Sequence, residues 1–212
     1  MWFSGRKDSG KGPSLEGLES VELVPPYDDS SIDARLAESA ERALCLRAAV
    51  AYWCLAPERV SNFIVPRLKS PGFLCVDLHL PTNVDLLCAM QAAGAGVYLH
   101  LLHPAAGPGS ALGLPPHLLH TKTLLFDFPD ERAELWVGSH NWTGRAVFGL
   151  NVEASLVIRL RRDSKLYVDS LALLERIRST CRLLDPKRVE YYKWLQGNQL
   201  EGQKVWLTDA TH

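Results

Sequence analysis

Three short, mostly apolar runs, each with a single charged residue or histidine, recur along the first half of the chain, at residues 46–53, 72–78 and 97–102, and each is parted from the next by a segment whose apolar residues have helical spacing. Runs this short, without regular polar alternation, are strands buried on both faces. The segments around them read as helices: Ile32, Leu36, Ala40 and Leu44 share a stripe behind a Ser30 or Ser31 cap, Pro57 opens a helix through Val60, Ile64 and Leu68, and Asn83 caps one that Gly94 and Gly96 end. The fold class expected is α/β, a mixed, largely parallel sheet flanked by helices on both faces.

The second half departs from simple alternation. Residues 118–128 and 134–141 read as a hairpin joined by 129–133, followed by a short helix at 142–148 and a strand at 151–160. Asp163 or Ser164 then caps a long helix buried along Tyr167, Leu171, Leu174, Ile177, Cys181 and Leu184, with Pro186 as its stop. Residues 1–18 read as a flexible arm, 19–185 as a single folded domain and 186–212 as a C-terminal tail, while the Pro-, Gly- and Ala-rich stretch 103–116 is long enough to be a functional loop.

Composition narrows the partners. No apolar run reaches the roughly 18 residues of a bilayer span, and no hydrophobic leader opens the chain, so a soluble, cytoplasmic protein is expected. Five cysteines without CxxC spacing indicate neither a disulfide framework nor a zinc finger. A net charge of −1 gives no global attraction to polyanions, but the charge is segregated: residues 14–45 hold two basic groups against eight acidic, and residues 141–188 ten basic against five acidic.

His120 and Lys122 stand two apart on the first hairpin strand, so their side chains leave one face and Thr121 the other. On the second strand Ser139 and Asn141 share a face that His140 opposes, and Gly138 leaves room for an incoming group to approach the backbone. Pairing the two strands gathers an imidazole, an ammonium, a hydroxyl and a carboxamide, a set that suits a tetrahedral anion such as phosphate.

These residues resemble the phospholipase D superfamily, whose signature is His-x-Lys-x4-Asp followed by Gly-Ser-x-Asn. His120, Lys122 and Asp127 match the first part, Gly138, Ser139 and Asn141 the second, and Asn151-Val152-Glu153 is similar to the family's downstream Asn-x-Glu segment. The resemblance covers residues 97–160. The interval from Asp127 to Gly138 is longer than the family's by an even number of residues, which leaves the strand faces unchanged.

The resemblance implies a covalent mechanism in which His120 attacks phosphorus and forms a phosphohistidine that yields to water. It implies that Lys122 and Asn141 bind non-bridging oxygens, that Ser139 adds a hydrogen bond, that Glu153 fixes the imidazole tautomer, and that Asp127 is mainly structural. Superfamily members draw a second histidine from a second motif, yet no other histidine here is followed two residues later by lysine. A homodimer with both His120 rings facing across the two-fold axis is therefore expected. No cofactor and no metal are called for, and the His100-x-x-His103 and His117-x-x-His120 pairs have a spacing that puts their members on opposite strand faces.

Short one-motif chains of the superfamily resemble its dimeric nucleases, so the expected substrate is DNA or RNA, its backbone tracked by Arg159, Arg161, Arg162 and Lys165. Two alternatives stand beside this one. A phospholipase or phosphatidyltransferase would show an apolar lip at 103–118, and a catalytically idle dimeric nucleic-acid-binding module would bind without turnover.

Overall fold

A computed structural model describes residues 16–24, 32–55, 63–101, 119–147 and 151–197. The elements in chain order are β1 (Leu18–Val24), α1 (Ile32–Arg42), β2 (Cys45–Val50), α2 (Ile64–Arg67), β3 (Phe73–Asp77), α3 (Val84–Ala92), β4 (Val97–His100), β5 (Lys122–Asp127), β6 (Arg132–Gly138), α4 (Gly144–Val147), β7 (Ser155–Arg161), α5 (Lys165–Thr180) and β8 (Arg182–Leu183). A 3-10 turn, Pro186–Arg188, leads into a helix over 189–197. The expected caps Ser30 and Ser31, the helix start at Pro57, the loop 103–116 with His103, and His117 lie outside the described residues.

The strands form one eight-stranded sheet in the order β1-β7-β6-β5-β2-β3-β4-β8. Its central members β2, β3 and β5 are buried along their whole length, which is why they carry no polar alternation, whereas β1 and β7 near one edge alternate buried with exposed. Helices cover both faces as expected: α1, α2 and α3 pack on one with Leu46, Leu74, Leu124 and Phe126, and α5 packs on the other with Phe73, Leu125, Leu135 and Leu160. The parallel share is smaller than the alternation suggested. Only β2–β3 and β3–β4 pair in parallel, and every other neighbour is antiparallel, because the hairpin strands join the sheet directly beside β2.

Local chemistry sets the element ends. Asn83 caps α3 by accepting from the Leu86 amide at 3.0 Å, and Gly94 follows that helix with φ +96°, a conformation a side chain would strain. Ser164 caps α5, accepting from the Tyr167 amide at 3.2 Å. That helix stops at Thr180 rather than at Pro186: Arg182 and Leu183 instead pair with β4, and Leu184 is buried on the opposite face of the sheet from α5. The helix over 189–197 packs back on the body through Tyr192, while Gln196 Nε2 donates to Leu78 O at 2.6 Å and to Thr82 O at 2.9 Å. No helix among the described residues is long and apolar enough to cross a membrane.

Candidate active site

The hairpin strands bring the chemistry to one end of the sheet. His120 and Lys122 sit where β5 begins, and β6 reaches the same end at Gly138, paired with Ser155 at the start of β7. Beyond Gly138 the chain crosses the start of β5 to reach β2: Trp142 N–H donates to Tyr52 O at 3.1 Å and Cys54 N–H to Trp142 O at 2.9 Å. His120 and Lys122 are thus bracketed by residues 139–142. Trp53, Trp136 and Trp142 hold that crossing as core, with ring centroids 6.1 Å (Trp53–Trp142) and 6.3 Å (Trp136–Trp142) apart.

His120 is exposed and Lys122 is buried beneath it. The Lys122 ammonium stands 3.1 Å from His120 Nε2 and 3.2 Å from Nδ1, and donates to the His120 carbonyl at 3.1 Å. An ammonium has donors only, so its contact with the ring uses a lone pair that a neutral imidazole alone offers. Burial pushes the Lys122 ammonium below its ordinary pKa, and the Glu153 carboxylate partly opposes that shift. Thr121 faces away, its hydroxyl 2.9 Å from that of Thr123, as the strand period requires.

The residues after Gly138 differ from a simple continuation of the strand. β6 ends at Gly138, so 139–141 form a bend. Ser139 Oγ accepts from the Ala154 amide at 3.1 Å and donates to Ala154 O at 3.3 Å, which commits this hydroxyl to clamping the entry to β7. Gly138 serves the same close approach: a Cβ there would lie 2.1 Å from Ser155 Oγ and 2.4 Å from Ala154 O, so the neighbouring strand, not an incoming ligand, demands the glycine.

Asn141 is half-buried, and its buried Oδ1 has no hydrogen-bond partner among the described residues, leaving the carboxamide unspent. Glu153 accepts from Asn151 Nδ2 at 3.3 Å and from no histidine among the described residues; its charge reaches both Lys122 and His140. His140, which sequence reasoning left unassigned, is buried with Nδ1 2.7 Å from Ser155 Oγ, and burial holds it below the ordinary histidine pKa.

Asp127 is not at this end. It lies five residues along β5 from Lys122, roughly 16 Å at the usual strand rise, and on the opposite face. Its carboxylate takes Arg47 Nη1 at 2.8 Å and the Tyr167 hydroxyl at 3.0 Å, tying α5 to the sheet. Arg159, Arg161, Arg162 and Lys165 are not brought to the site either, because β7 runs away from it. They are also engaged: Arg159 with Glu22 and Glu134, Arg161 with Asp163, Arg162 with Glu131, and Lys165 with Asp169. Arg145, on α4 just past Asn141, is exposed and has no ion-pair partner among the described residues.

A second cluster on the same rim was not anticipated. Asp77, at the end of β3, accepts from the His79 amide at 3.0 Å, from the Leu119 amide at 2.8 Å and from His100 Nδ1 at 3.2 Å, and it also meets His79 Nδ1. Burial alone would raise its pKa, but the hydrogen bonds from His100, His79 and Leu119 outweigh burial and hold the carboxyl far below the usual range.

Sheet order and helix placement are those of a phospholipase D-like fold. Its similarity to solved structures is explicit: NucT from Helicobacter pylori superposes with TM-score 0.57 at 16% identity over 78% of this chain and 99% of that one. Nuc from Salmonella typhimurium, a phospholipase D family member, gives 0.54 at 18% over 78% and 97%. Phosphatidylserine synthase from Haemophilus influenzae Rd KW20 gives 0.52 at 13%, over 91% of this chain and 46% of its own. No protein-family model matches the sequence, and neither does any curated protein.

Proposed function

We propose that this chain is a phosphodiesterase that hydrolyses nucleic-acid phosphodiester bonds, an endonuclease working through a phosphohistidine at a site shared by two copies. The observation that carries the reading is the Lys122 ammonium lodged against the exposed His120 imidazole at an open strand end. An exposed imidazole with a fixed cation within reach of the charge that builds on phosphorus is what attack on a phosphodiester needs.

A ring nitrogen of His120 bonds to phosphorus while the ester P–O bond breaks, and the leaving oxygen takes its proton from the imidazolium of the second copy's His120. That ring, now neutral, removes a proton from water as the water oxygen displaces the phosphohistidine nitrogen. The Lys122 ammonium and the Asn141 Nδ2 amide donate to the non-bridging oxygens. Two imidazoles at one phosphate titrate as a coupled pair, one neutral and one charged. Ser139 and Glu153 shape the rim through Ala154 and through the charge on Lys122.

Two findings support the shared site. The chain holds a single His-x-Lys pair, and it spans nearly all of NucT and Nuc but less than half of the phosphatidylserine synthase. Exposed Arg145, four residues after Asn141 and without an ion-pair partner among the described residues, favours a polyanionic chain as substrate. The reaction's positive charge comes from Lys122 and histidine, so cleavage of single- or double-stranded DNA or RNA is expected to persist in EDTA, to vanish in His120→Ala and to leave trapped phosphate on His120. Headgroup release from phospholipid vesicles without nucleic-acid cleavage would replace this reading with a lipid one; a gel shift without turnover, unaffected by His120→Ala, would replace it with a binding module.

A further inference from the structure

We infer that Asp77 is a positioning residue for the nucleophile: its buried carboxylate clasps the backbone directly ahead of His120 and so sets where the imidazole stands. This rests on the phosphodiesterase reading for its catalytic consequence, though not for its geometry.

The bonds converge on one side chain. Asp77 is only 1% exposed, and its Oδ2 accepts both from His100 Nδ1 at 3.2 Å, at the end of β4, and from the Leu119 amide at 2.8 Å, one residue before His120. β4 ends at His100 and β5 begins at Lys122, so a single oxygen holds a residue at the end of one strand and a residue shortly before the next. Its other oxygen accepts from the His79 amide at 3.0 Å, which fixes the carboxylate itself against its own strand end. Thr82 Oγ1 donates to Asp77 O at 2.8 Å and Gln196 holds the same turn from outside.

His120 has no comparable hold of its own. It precedes β5, it is exposed, and its ring touches only the Lys122 ammonium among the described residues. The bond from the Leu119 amide to Asp77, together with burial of the Leu119 side chain, therefore sets the backbone directly ahead of the imidazole. A charge-assisted bond to a buried carboxylate suits that task, being short and roughly twice as strong as a neutral one. Small misplacements of a reacting group are costly in rate and cheap in binding, so the signature belongs in kcat rather than KM.

The test pairs turnover with a readout that needs none. In 13C,15N-labelled full-length protein, the His120 ring and Leu119 amide resonances, assigned with His120→Ala, are followed in wild type, Asp77→Asn and Asp77→Ala, beside kcat and KM on a DNA oligonucleotide. Asp77→Ala is expected to lose Leu119 amide protection, to broaden or split the His120 ring signal, and to lower kcat more than tenfold with KM within threefold. Asp77→Asn, which keeps an acceptor oxygen for Leu119, is expected to recover most of both. A folded Asp77→Ala with an unchanged His120 signal and kcat within twofold overturns the inference. Should Asp77→Ala not fold, hydrogen exchange in the wild type decides: a Leu119 amide exchanging as fast as an exposed one overturns it, and a protected one supports it. A His120 signal that responds to Asp77 in a protein that cleaves nothing supports the clasp and overturns the phosphodiesterase reading instead.

Discussion

Lys122 is the residue whose role is easiest to isolate, because its ammonium contacts the His120 ring and carbonyl. Lys122→Met keeps the buried stem and deletes the charge; it is expected to cost about 3 kcal/mol of transition-state stabilisation, roughly a hundredfold in kcat, in a steady-state nuclease assay. Gly138→Ala acts differently, forcing a Cβ to within 2.1 Å of Ser155 Oγ. It is expected to destabilise by about 1–3 kcal/mol or more, seen as a lower melting temperature. The Asp77–His100 pair makes stability pH-dependent from two sides. The hydrogen bond to Asp77 raises the His100 pKa above 6.5, so its stabilisation is full below that value and is lost as pH rises through the folded-state pKa. Asp77, held below 3.8, contributes above that value and loses its contribution on acidification. Denaturant titrations are expected to show the gap between wild type and His100→Gln shrinking as pH rises above 6.5.

Among the elements, β5 divides its labour between its two ends. Asp127→Ala removes the partner of buried Arg47 and the acceptor of Tyr167, and is expected to cost about 3–5 kcal/mol in denaturant unfolding while kcat at low temperature falls little. The signature residues His120, Lys122 and Asp127 read as one motif in the sequence, yet they do two jobs on opposite faces. The His120–Lys122 pair was legible because a spacing of two on a strand fixes a shared face. The two-residue β8 was not, since so short an edge strand has no periodicity and exists only through its pairing with β4. Nor was the Asp77 cluster, whose partners lie 2, 23 and 42 positions away and meet only through sheet order. The placement of Arg159 to Lys165 misled for a simpler reason: nearness to Glu153 along the chain becomes distance once β7 runs away from the rim, about 20 Å from Ser155 to Arg161.

At the scale of the whole molecule, one chain supplies half of the proposed site, which makes catalysis depend on assembly. Specific activity is expected to fall on dilution in step with dimer dissociation measured by sedimentation. Equilibrating wild type with an equal amount of His120→Ala is expected to make wild-type pairs about a quarter of all dimers by random pairing, about half the number present before mixing, and so to leave about half the activity of the wild type added, because a mixed pair lacks either the attacking ring or its proton donor. The same sheet couples remote sequence to this rim. Gln196 grips the turn at Leu78 and Thr82, immediately beyond the carboxylate that holds Leu119. A reporter spliced into the chain just ahead of that glutamine would therefore register as an enzymatic defect, although more than seventy positions part the graft from the nucleophile in the sequence.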